Sequence, residues 1–304
     1  MSVDLKQMLE AGVHFGHRTS RWSPKMRPFI WGAKNKIHLI DISKTALLLE
    51  RAGKFLKEVT GMGGKILFVG TKKAAQDIVL AAAGRTQMPY VTNRWVGGTL
   101  SNYEQVKKAV TRLLHMRDVI GKNTSQYKKK ELSMITKEIA RLEKNVGGII
   151  NFDYPPAALV VVDAKKEYSA IKEASRLGIP VVALVDTNTD PDGVTHIVPS
   201  NDDSPKAISF IMAYLEAQIT EGLQLAEVAK KAKAEAAAAA KAESKSARPA
   251  ANAEASAEGA QPQEAAADSR PARPARDDRR EDRRPAARTQ GGRPPARKPF
   301  KKSE

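Results

Sequence analysis

Three short runs decide most of what this chain can fold into. KILFVG at Lys65–Gly70, ALVVVD at Ala158–Asp163 and VVALVD at Val181–Asp186 are apolar without alternation. A strand with one wet face alternates apolar and polar side chains, so an unbroken apolar run must bury both. Helical segments lie around these runs. Asp41 and Ser43 are candidate caps for TALLLERAGKFLKEV, which Gly61, Gly63 and Gly64 end. Lys72–Ala83 reads as a second helix, and Ser204 caps another that runs to about Glu221. Lys36–Ile40, Tyr90–Thr92 and His196–Val198 read as shorter strands. Alternating strands and helices predict an α/β domain with a mainly parallel sheet covered on both faces.

One stretch breaks the alternation. From Tyr103 to Val146 there is no strand signal. Val106, Val110, Leu113 and Ile120 follow four-three spacing, with Arg117 at the seam position that lacks an apolar residue. Leu132, Ile135, Ile139, Leu142 and Val146 follow three-four spacing, and GKNTSQYKKK lies between the two sets. This pattern predicts an antiparallel coiled-coil hairpin inserted over 103–146. Its outer positions, among them Lys107, Lys108, Arg112, Lys128, Lys129, Lys130, Lys137 and Arg141, suit a solvated face and an RNA contact equally well.

Charge points to the partner. The chain carries a formal +17, of which residues 1–229 hold +9, so the folded part is basic in its own right and calls for an anionic partner. Between Glu10 and Asp41 there is no carboxylate at all. That stretch holds Arg18, Arg21, Lys25, Arg27, Lys34 and Lys36, three histidines (His14, His17, His38) and the aromatics Phe15, Trp22, Phe29 and Trp31. Cations interleaved with aromatic planes suit phosphate contact and stacking on unpaired bases. Taken singly, each aromatic is better explained by packing against the domain. Packing gives no reason to exclude every carboxylate from thirty positions.

GVHFGH, WSPKM, FIWGAKNKIHLID, NRWVGGTLSN at Asn93–Asn102 and PAALVVVDAKKEYSAIKEASRLGIPVVALVDTN at Pro156–Asn188 occur in that order. Together they closely resemble the bacterial small-subunit ribosomal protein S-two family, over about Met1 to Glu221. The resemblance implies a flavodoxin-like domain with a helical hairpin, bound to small-subunit ribosomal RNA between head and body. It also implies neighbouring ribosomal proteins as partners, including an anchoring role for the S-one protein that captures messenger RNA. The expected RNA-binding residues are Arg18, Arg21, Trp22, Lys25, Arg27, Trp31, Lys34 and Lys36, with Lys72 and Lys73 from the turn after KILFVG, and Arg94 and Trp95 from NRWVGGTLSN.

Chemistry is weakly signalled. FVGTKK follows a strand and opens a helix but lacks phosphate-loop spacing, and Gly97–Gly98 has no third glycine at dinucleotide spacing. No serine sits in a G-x-S-x-G elbow. NTDPDG at Asn188–Gly193 opens like a calcium loop but meets Pro199 where glutamate is needed. The acidic loops at Asp186–Asp192 and Asp202–Asp203, with His17 near them in the fold, are open to two readings: turn-and-cap residues or ligands of a divalent ion. No cofactor and no catalytic residue is expected. A cytoplasmic protein is expected, since cysteine is absent, no apolar run is long enough to span a bilayer, and MSVDLKQMLEAG is no signal peptide; the resemblance implies that it is ribosome-bound. Two other readings stay open, a nucleotide- or phosphate-binding α/β enzyme using Gly70–Lys73 and a free regulatory RNA-binding protein. Residues 1–229 form the expected domain. Residues 230–304 are expected as an alanine-rich helix followed, from Ser244, by a disordered tail with RPA at Arg248, Arg270 and Arg284. That tail is either a diffuse electrostatic arm on RNA or a solvated segment.

Overall fold

The computed structural model describes residues 3–122 and 127–246, with the side chains of the last helix described as far as residue 232. Met1–Arg248 form one compact unit, and Pro249–Glu304 fall in a second that lies outside the described residues. All but the first three residues of the expected tail are therefore outside them too.

The order of elements is α1 (Leu5–Ala11), β1 (Phe15–Arg18), a 3₁₀ segment (Pro24–Phe29), β2 (Ile30–Lys34), β3 (Ile37–Ile40), α2 (Ile42–Gly61), β4 (Ile66–Val69), α3 (Lys73–Thr86), β5 (Tyr90–Val91), α4 (Tyr103–Lys122), α5 (Lys129–Val146), β6 (Ala158–Val162), α6 (Tyr168–Arg176), β7 (Val181–Val185), β8 (His196–Pro199) and α7 (Pro205–Ser246). Strands β5-β4-β6-β7-β8 make one parallel sheet. Counted within that sheet the order is 2-1-3-4-5, a doubly wound arrangement that reverses direction between β4 and β6.

The unbroken apolar runs are explained by helices on both faces. Ile66, Phe68, Val160, Val162, Val182 and Leu184 pack with Leu49 and Leu56 of α2, Val79 of α3 and Ile211, Leu215 and Ile219 of α7. Their neighbours along the strands, Leu67, Val69, Leu159, Val161, Ala183 and Val185, turn the other way onto α6, the inner ends of α4 and α5, and Met26. Each fully buried Leu, Ile or Phe contributes about 1.5–3 kcal/mol, so the two layers outweigh any single surface contact. Asp41 caps α2, its carboxylate accepting from the amides of Ser43 and Lys44.

A second sheet, β1-β3-β2, is antiparallel and went unread in the sequence apart from β3. Its hairpin turn is Asn35–Lys36, and both residues have positive φ, 53° and 62°. A two-residue turn of this kind favours glycine at its second position, which is why lysine there hid it. Helices α4 and α5 pack through Val106, Val110, Leu113, Leu142 and Val146, all buried, while Ile120, Leu132, Ile135 and Ile139 toward the tip are half-buried. Arg117, in the seam, pairs with Glu143 across the hairpin at 3.0 Å through Nε. No described helix is long and apolar enough to cross a membrane.

Candidate nucleic-acid interface

Residues 11–40 fold as a surface layer tied to the segments that follow the carboxyl ends of β7 and β8. Gly12 ends α1 in the left-handed conformation, and the chain then crosses β1, the 3₁₀ segment and the β2–β3 hairpin. Pro24 and Pro28 restrict the 3₁₀ segment, and Met26 pins it by inserting fully into the core below. Lys44 donates from Nζ to the Pro28 carbonyl at 2.6 Å.

The side chains expected to meet RNA fall into two groups. Arg18, Arg21, Arg27, Lys34, Lys36, Lys73 and Arg94 are exposed, and among the described residues none forms an ion pair. Trp31 is 76% exposed, and Trp22, at 38%, is tilted against His38 with ring centroids 5.3 Å apart. The second group is engaged within the protein. Lys25 binds Asp190 at 2.9 Å and also Asp192. Lys72 Nζ lies 2.7 Å from Asp202, 2.5 Å from Asp203 and 3.5 Å from Asp163. Trp95 is buried, with its indole N–H donated to Glu173 at 3.1 Å. Glu173 also accepts from the amides of Gly98, Leu100 and Ser101, so one carboxylate organises the whole Asn93–Asn102 loop. Burial works against the charge of Glu173, yet those donors hold its pKa below the usual carboxylate value.

The β7–β8 loop carries the surface layer. The Ser23 amide donates to the Thr187 carbonyl at 2.8 Å, and the His17 amide donates to Thr187 Oγ1 at 2.9 Å. A Cβ on Gly16 would lie 2.6 Å from Thr187 Cγ2, so only glycine permits this approach. His17 Nδ1 lies 2.9 Å from the buried Asp186 Oδ2, and neither atom has another partner among the described residues. Its Nε2 is 3.3 Å from Asp203. Hydrogen bonding to Asp186 raises the His17 pKa, aided by the nearby charges of Asp186, Asp203 and Asp202. Burial beside Asp186 and Asp163 pushes Asp202 up to about 7 despite its bond to Lys72. Burial opposes the charge of Lys72, but Asp202 and Asp203 outweigh it and raise its pKa.

His17, Asp186, Asp202 and Asp203 each offer a ligand atom, all within 4.8 Å of one another. One imidazole and three carboxylates suit a divalent cation. The ammonium of Lys72 already bonds to two of the three carboxylates, so such an ion would have to compete with it.

The turn after β4, where a doubly wound sheet would receive a phosphate, is filled from within. Buried Glu167 accepts from the Thr71 amide at 3.2 Å and from its hydroxyl, and Lys166 donates to the Thr71 carbonyl at 2.9 Å. Glu167 and Lys166, which hold this turn, and Glu173, which holds the Asn93–Asn102 loop, were missed by sequence reasoning. The available signal was DAKKEY, in which Asp163 has a positive φ of 67° and caps the Lys166 amide.

A family model described as ribosomal protein S2 matches residues 8–222. A Desulfovibrio desulfuricans protein named small ribosomal subunit protein uS2 is 46% identical over 217 residues, covering 71% of this chain and 84% of its own length. Its namesake in Sorangium cellulosum is 48% identical over 223 residues, 73% of this chain and 80% of that protein. That of Micrococcus luteus is 44% identical over 236 residues, 77% and 83% of the two chains.

Proposed function

This chain belongs to the ribosomal protein S2 family, and from that membership we infer that it is a structural constituent of the small ribosomal subunit, bound to the ribosome in the cytoplasm. It binds small-subunit ribosomal RNA through Arg18, Arg21, Arg27, Lys34 and Lys36, with Lys73 and Arg94 as flanking cations and Trp22 and Trp31 as stacking surfaces. The observation that carries this reading is the carboxylate-free stretch itself. Its unpaired cations stand on a folded, core-pinned surface beside a tryptophan 76% exposed. Membership also supports contacts with neighbouring ribosomal proteins and a part in anchoring the S-one protein. The α4–α5 pair, read as a coiled-coil hairpin, extends the basic surface through Lys107, Lys108, Lys137 and Arg141. Residues 1–229 are the RNA-binding domain and the remainder an appendage.

The role is positional and needs no chemistry. A nucleotide-binding enzyme would need the Thr71 amide, which Glu167 already occupies. Co-sedimentation tests the reading: the protein is expected to travel with small subunits at physiological salt. Movement with free RNA but not with subunits would favour a separate regulatory RNA-binding protein. Specific nucleotide uptake in equilibrium dialysis would favour the enzyme.

A further inference from the structure

We propose that Asp190 and Asp192 are positioning residues for RNA binding, which hold the basic segment in its RNA-facing arrangement through Lys25; this rests on the RNA reading of that segment. On charge alone the assignment is unexpected. Two exposed carboxylates at Lys25, within the basic segment, repel phosphate, and they neutralise a cation that RNA could have used.

The geometry explains the trade. From Gly16 to Lys25 the segment is tied to the β7–β8 loop at successive points: His17 to Asp186, the His17 amide to Thr187 Oγ1, the Ser23 amide to the Thr187 carbonyl, and Lys25 to Asp190 and Asp192. The loop is itself closed by the Asp192 amide donating to Asp190 Oδ1 at 3.1 Å, so both carboxylates are offered from one turn. Of these ties, only the last grips the 3₁₀ segment by a side chain on the solvent side, opposite buried Met26. Without it, Pro24–Phe29 would keep Met26 in the core and the Lys44 bond to the Pro28 carbonyl. The Lys25 end of its outer edge, which leads into Arg27, would lose its only side-chain tie to the β7–β8 loop among the described residues. Preorganised cations lose less entropy on binding phosphate, so the brace strengthens binding although it consumes one positive charge.

The test has a sign. In salt titrations of the full chain on small-subunit ribosomal RNA, Asp190→Asn with Asp192→Asn is expected to weaken binding roughly three- to tenfold, the range open to two exposed ion pairs. The melting midpoint should fall by no more than about a few degrees, so the protein stays folded throughout the titration. Simple charge repulsion predicts the reverse, tighter binding and a steeper salt slope, and either that result or an unchanged affinity would overturn the proposal. A charge swap guards against misfolding of the double variant. Lys25→Asp alone should weaken binding, and adding Asp190→Lys should restore most of it, since the brace is rebuilt with opposite polarity. Failure of the swap to restore binding would mean that Lys25 meets phosphate directly. The triple change Arg18→Ala, Arg21→Ala, Arg27→Ala in the same titration checks the underlying reading separately. If it leaves binding unaltered, the segment does not face RNA at all.

Discussion

Glu167 accepts hydrogen bonds from both the amide and the hydroxyl of Thr71, at the carboxyl end of β4. That end of a doubly wound sheet, beside the strand where the order reverses, is the usual place for a phosphate. Here a carboxylate of the protein takes the donors that a phosphate would use. Burial is the leading influence on Glu167 and lifts its pKa, while the bonds from Thr71 pull the other way.

Glu167→Ala should lower stability by about 1–3 kcal/mol, because a buried amide loses its acceptor. Glu167→Gln keeps an acceptor and removes a buried charge, so it should stay within about 1 kcal/mol of the parent. Denaturant melts of both variants check this. Nucleotide binding that appeared in the alanine variant and not in the parent would revive the phosphate reading of this turn.

The acidic cluster predicts a pH dependence. Asp202 is raised to about 7, above its unfolded value, so the folded state binds a proton more tightly and loses stability as pH rises toward 7. His17 is also raised; its contribution is fully present below its unfolded value and is lost as pH rises through the folded one. Asp203, held low by Lys72 against its burial, acts in the opposite sense, and only at acid pH. Melting temperature should therefore fall between pH 5 and pH 8, and Asp202→Asn should flatten that slope. A parent slope of the opposite sign would show that other groups dominate.

The two tryptophans at the ends of the exposure range should respond differently. Trp31→Ala should cost about 1–3 kcal/mol of RNA binding with little change in melting. Trp95→Ala, which removes a buried ring and an indole bond to Glu173, should cost about 3–5 kcal/mol of stability. The Arg18, Arg21 and Arg27 triple change should reduce the salt slope by roughly two to three units.

Truncation after Ala229 should leave the melting transition unchanged. Among the described side chains of α7, which run to residue 232, the last one buried is Ala226, while Leu225 and Val228 are exposed. A drop of several degrees would place the domain boundary further along the chain.

The parallel sheet was legible because burial on both faces leaves its mark in every residue of a strand, as in ALVVV. The antiparallel sheet was mostly not. Its strands FGHR and IWGAK mix apolar and polar residues over a few positions, and its turn uses lysine where glycine would have marked a hairpin. The carboxylate-free stretch could be read as a surface, but not the fate of each cation in it. Lys25 finds Asp190 165 residues away and Lys72 finds Asp202 130 residues away, so no local pattern announces either pair. Trp95 was expected among the RNA-binding residues, and its burial could not be foreseen for the same reason, since the Glu173 that accepts from its indole lies 78 residues on.

The distance between Lys25 and its acidic partners also sets an order of events during synthesis. The carboxylate-free stretch of residues 11–40 leaves the exit tunnel well before its partners, since the loop that holds it emerges some 165 residues later. At about 5–20 residues per second this is a lag on the order of ten to thirty seconds. In that interval the nascent segment has its charges but not its shape. A chain interrupted before Asp186 would carry cations able to adhere to any RNA, without the fixed arrangement that selects one. Only a molecule made past Asp192 can close the Lys25 brace on the surface proposed for RNA.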